Sequence, residues 1–90
     1  MKLLCQVYRS SRQQEMYLYV RKANGLSDVP ASLLERFGEP VEVMTLLLGP
    51  ERKLARAEAS DVLQSIAERG FYLQMPPTAA ELQQRNSVGE

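Results

Sequence analysis

Hydrophobic and polar positions divide the ninety-residue chain into short elements joined by turns. Residues 3–9 (Leu-Leu-Cys-Gln-Val-Tyr-Arg) and 15–21 (Glu-Met-Tyr-Leu-Tyr-Val-Arg) are rich in strand formers and flank the polar stretch 10–14, which predicts a hairpin. Pairing Val7 with Leu18 and Cys5 with Val20 would place Leu3, Cys5, Val7, Met16, Leu18 and Val20 on one face. Gln6, Tyr8, Tyr17 and Tyr19 would then occupy the other. An Asn24-Gly25 turn leads to a short helix over about residues 30–37, with Val29, Leu33, Leu34 and Phe37 on one side and Gly38 at its end. Residues 41–48 form an apolar run with one charge, Glu42, which predicts a strand inside the sheet and buried on both faces.

Gly49 to Lys53 reads as a turn, and residues 54–56 as a short returning strand. Ala59, Val62, Leu63, Ile66 and Ala67 then repeat at the i, i+3, i+4, i+7 spacing of an amphipathic helix closed by Gly70. Residues 71–75 predict a last strand stopped by Pro76-Pro77, and Thr78-Ala79-Ala80-Glu81 a capping box opening a terminal helix. The order implies an α+β two-layer domain: an antiparallel or mixed sheet of four to five strands, with two to three helices mainly on one face. Residues 1–90 read as a single domain whose segment 83–90 is a frayed tail.

Four motifs carry a family resemblance. Tyr8-Arg9-Ser10-Ser11, Tyr17-Leu18-Tyr19-Val20, Phe37-Gly38-Glu39-Pro40 and the run from Gly70 to Pro77 resemble, in that order, the bacterial YcgL family of small proteins. The resemblance implies a single α+β domain, a cytoplasmic location and no established activity. An association of such genes with that of ribonuclease D points toward RNA metabolism. The family defines no catalytic residue, so none is carried over.

Composition removes more functions than it suggests. With no His the commonest general base and metal ligand are missing, and one Cys cannot build a zinc site or an internal disulfide. The five glycines stand too far apart for a phosphate-binding loop, and no apolar run is long enough for a membrane span. The expectations are therefore no enzyme, no cofactor, no metal site and no membrane partner, in a reducing cytoplasm where Cys5 is a small core residue. Met16, Met44 and Met75 read as core filling.

Charge sums to zero but is segregated. Residues 1–22 carry Lys2, Arg9, Arg12, Arg21 and Lys22 against Glu15, a net of +4, and residues 51–57 carry Arg52, Lys53 and Arg56 against Glu51, a net of +2. The intervening and closing segments are each −3. Tyrosines on a strand face flanked by guanidinium groups can stack unpaired bases while the cations meet phosphates. Tyr8, Arg9, Ser10, Arg12, Tyr17, Tyr19 and Arg21 are accordingly the candidate binding residues, with RNA or an RNA-processing protein as the candidate partner. The plainer reading is that the tyrosines are half-buried and the serines only shape a turn. A competing function is a protein–protein interaction module without nucleic-acid contact, and an enzyme of unknown type stands third. The oligomeric state does not follow from the sequence.

Overall fold

The structure, a computed structural model, describes residues 2–54 and 57–76. Its elements are β1 (Leu3–Arg9), β2 (Tyr17–Arg21), α1 (Ala31–Phe37), β3 (Val41–Leu48), α2 (Ala59–Arg69) and β4 (Phe71–Gln74). The strands form one four-stranded sheet in the order β3-β1-β2-β4, with every neighbouring pair antiparallel. The α+β class therefore stands as the sequence implies. The expected strand over 54–56 falls partly outside the described residues; next to it, Lys53 and Glu58 form an isolated bridge. The terminal helix from Thr78 and the tail 83–90 lie outside the described residues.

The hairpin register differs from expectation by one residue. Val7 pairs with Tyr19 and Cys5 with Arg21, so Tyr17 and Tyr19 share a face with Cys5 and Val7. Because side chains alternate with period two, this single step moves every β2 side chain to the opposite face. The pattern could not select the register, since Met16 to Val20 is apolar or aromatic at every position and both alternating sets find a core. The loop decides it: the Ser10 amide donates to the Met16 carbonyl at 2.9 Å, and Glu15 takes a left-handed φ of 59°.

Two cores follow, one on each side of the sheet. On one, Ala59, Val62, Leu63 and Ile66 of α2 pack over Cys5, Val7, Tyr19, Leu46 and Leu48. On the other, Phe37 of α1 closes over Met16, Leu18, Val20 and Val29, with Leu33, Leu34, Phe71 and Leu73 around it. The helices are thus divided between the faces rather than gathered mainly on one, because β2 presents apolar side chains both ways and each set needs a cover. Ala67 lies outside the buried stripe of α2.

The third strand is also corrected: β3 is an edge, not an interior strand. Only Leu46 and Leu48, which face α2, are buried; Val43, Met44 and Leu47 are 42%, 49% and 51% exposed. The other face of β3 lies away from α1, whose sheet partners come from β1, β2 and β4. Met44 and Met75 are exposed rather than core filling, whereas Met16 is buried as expected. A bulge interrupts β3, with Val7 opposite Met44 and Tyr8 opposite Glu42, leaving Val43 unmatched. Buried Gln6 braces it: its Nε2 donates to the Met44 carbonyl at 2.9 Å, and Thr45 Oγ1 donates to its Oε1 at 2.8 Å.

Candidate functional site

A groove of about 340 Å³ opens on the α2 side, at the end of the sheet where β2 begins and β4 ends. Val7, Tyr19 and Leu46, which belong to the core under α2, also line it. Tyr17, Tyr19 and Met44 form much of the groove wall, Gln74 closes one side, and Arg52 and Lys53 from the turn after β3 stand at the rim. The bulge braced by Gln6 brings Val43 and Met44 into the wall.

The two tyrosines play different parts. Tyr19 is only 8% exposed and meets Tyr72 edge to face, with ring centroids 5.8 Å apart and planes at 73°. Its hydroxyl donates to Gln74 Oε1 over a long 3.5 Å. Burial, helped by the neighbouring Tyr72, Tyr17 and Cys5, pushes its pKa above the usual 10.0, so it stays a neutral donor. Tyr17 is half-buried, sits across from Arg9 on β1 and from Gln74 on β4, and is the ring more open to a ligand.

The remaining candidate residues are dispersed. Tyr8 pairs with Leu18 and Glu42, on the α1 side, and packs beside the Phe37 core. Burial first and the Glu42 charge second raise its pKa. Three tyrosines therefore do not share a face, because the register separates Tyr8 from Tyr17 and Tyr19. Ser10 is buried, and its hydroxyl donates to the Phe37 carbonyl while accepting the amides of Arg12 and Gln13, each at 3.0 Å. It ties the hairpin loop to the end of α1. Arg12 is exposed in that loop, close to Gly38. Arg21 lies across from Cys5, at the far end of β2 from Tyr17 and about 13 Å away along the strand. Its charge lowers the Cys5 thiol pKa, but burial outweighs it and the net shift is upward.

Arg9, Tyr17 and Tyr19 are thus brought to one end of one face, where Arg52, Lys53, Met44 and Gln74 join them. The basic turn at 51–57 is marked in the sequence by its charge, and β3 lying beside β1 brings its Arg52 and Lys53 to the groove. Among the described residues no group of three or more metal-ligating side chains comes together, and no helix is long and apolar enough to cross a membrane.

The fold and groove define a small α+β domain with an aromatic, cation-rimmed cleft at one end of its sheet. The YcgL domain model matches residues 5–77, and the chain belongs to the YcgL family. A YcgL domain-containing protein of Chromohalobacter salexigens is 60% identical over 74 residues, spanning 82% of this chain and 77% of that protein. Another from Pseudomonas putida is 52% identical over 81 residues, 90% of this chain and 84% of the relative. One from Cellvibrio japonicus is 49% identical over 77 residues, 86% and 79% respectively.

Proposed function

We propose that this domain is a non-enzymatic cytoplasmic binding module that holds single-stranded RNA in the tyrosine groove. The observation that carries the reading is the convergence of a half-buried Tyr17 with Arg52 and Lys53 around one open cleft, beside Arg9. A base stacks on Tyr17 and adjacent phosphates meet the three cations, a mode that tolerates any base. Zero net charge limits nonspecific attraction, so affinity depends on this local cluster rather than on the field of the whole chain.

Fluorescence anisotropy with a short labelled RNA at about 50 mM salt tests it, since phosphate contacts are strongest there. Three phosphate contacts give a slope of log K against log salt of about −2 for a single strand. Tyr17→Ala weakens binding about 5- to 150-fold, corresponding to the 1–3 kcal/mol of one stacked base. Absence of binding at that salt, or binding indifferent to both Tyr17→Ala and Arg52→Glu, removes RNA from the reading. A protein–protein module is the second reading, favoured by the exposed Val43, Met44 and Leu47 on the edge strand β3.

A further inference from the structure

The other edge of the sheet carries a feature the groove does not use. A cleft of about 470 Å³ runs along β4, between α1 on one face and α2 on the other. Its walls include Ser32 and Arg36 from α1 and Ser65 and Arg69 from α2, with Phe71 to Leu73 of β4 as the floor. The charged side chains lining it are both arginines, exposed, each in the last turn of its helix. Among the described residues neither guanidinium forms an ion pair. The nearest acid along α2, Glu68, accepts a hydrogen bond from Gln64 Nε2 at 3.1 Å.

The backbone of β4 adds the second half of the argument. As an edge strand it pairs with β2 on one side only, so alternate residues direct their N–H and C=O groups into the cleft. An extended chain entering there meets a backbone template flanked by two cations. Phe71 and Leu73 belong to the α1 side and Tyr72 to the α2 side, which fixes the faces that an added strand would continue.

We propose that the β4 edge docks a short acidic extended segment of a partner protein as a fifth strand, with neighbouring carboxylates reaching Arg36 on one face and Arg69 on the other. Successive side chains of a strand point to opposite faces, so the segment must carry adjacent acids, not acids two apart. Two guanidinium forks match two carboxylates by charge-assisted hydrogen bonds, and the hydroxyls of Ser32 and Ser65 lie beside them. Four residues, Phe71–Gln74, set the length of segment that can pair.

The test uses the full chain and three labelled peptides of equal length: two central adjacent glutamates, the same residues with the glutamates two apart, and adjacent glutamines. The adjacent-acid peptide is expected to bind in anisotropy, the spaced one at least about threefold more weakly, and the glutamine one about tenfold or more weakly. Arg36→Glu and Arg69→Glu each reduce binding of the first peptide about tenfold while leaving RNA affinity in the tyrosine groove unchanged. Amide exchange within Phe71–Gln74 slows on peptide addition. Arg36→Gln and Arg69→Gln, checked for retained fold by circular dichroism, give the same order with smaller losses. Equal binding of the adjacent and spaced peptides, indifference to both charge reversals, or unaltered exchange along β4 overturns the proposal. So does short RNA binding this cleft when no peptide does, with affinity lost in Arg36→Glu and kept in Tyr17→Ala.

Discussion

Removing the side chain of Phe37 tests the two-sided core most directly. The ring is fully buried against Met16, Leu18, Val20 and Val29, which are themselves at most 7% exposed. Leu18 and Val20 are fixed in a strand paired on both sides, so the site cannot collapse to fill the space and Phe37→Ala costs about 3–5 kcal/mol. A chain of ninety residues has a total stability of about 5 to 13 kcal/mol, so the loss is a large fraction. Helix α1, seven residues long, has no stability of its own without that anchor. At a urea dependence of about 1.5 kcal/mol per molar, the unfolding midpoint falls by about 2–3 M. Leu47→Ala is the internal control: this residue of the apolar run is 51% exposed, and its loss costs less than about 1 kcal/mol. Urea titrations of both variants followed by circular dichroism decide the matter. A Phe37→Ala loss below about 1 kcal/mol, or one equal to that of Leu47→Ala, would refute the reasoning that α1 seals a second core.

Two further outcomes follow from the structure. Gly70 has φ +90°, and a Cβ there would lie 2.5 Å from Asp28 Cβ. Gly70→Ala therefore costs about 1–2 kcal/mol for the left-handed backbone and more for the contact; thermal unfolding of Gly70→Ala, Asp28→Gly and the double variant shows the contact part recovered in the double, and strict additivity contradicts it. Cys5, Tyr19 and Tyr8 all contribute to alkaline stability, since burial is the largest cause raising their folded pKa values above the usual 9.0 for the thiol and 10.0 for the phenols. The unfolded chain then loses these protons first as pH rises, so stability is whole below about pH 8 and declines above about pH 9. Cys5→Ala shallows that decline between about pH 8 and pH 10.5 in urea titrations, and parallel curves for the two proteins refute it.

The sequence made the elements and the class legible for local reasons. Phe37-Gly38 and Arg69-Gly70 end the helices where glycine can take a positive φ, 81° and 90°, and the amide of each glycine returns to its helix, at 2.9 Å to Leu34 and 2.8 Å to Ile66. The stripe Ala59, Val62, Leu63, Ile66 names the buried face of α2 without any knowledge of what it covers. Of the candidate site, Tyr17 and Tyr19 share a face in either register, Arg9 joins them and Tyr8 leaves them only through the one-residue shift, and the basic turn containing Arg52 and Lys53 was visible as charge. Ser10 was legible as a turn residue, but its bond to the Phe37 carbonyl joins positions 27 apart and has no local signal.

What the chain alone determined is therefore where strands and helices run, and that no histidine is available to any site. The tertiary structure decided which face each side chain serves. An apolar strand such as β2 satisfies a period-two pattern in either register, so only the closed hairpin loop and helices on both sides select one. That selection sends Tyr8 to the α1 core and Tyr17 to the groove, and the placing of β3 beside β1 brings Arg52 and Lys53 to meet it. Contacts between residues distant in sequence carry no periodic trace, and the two clefts consist almost wholly of such contacts.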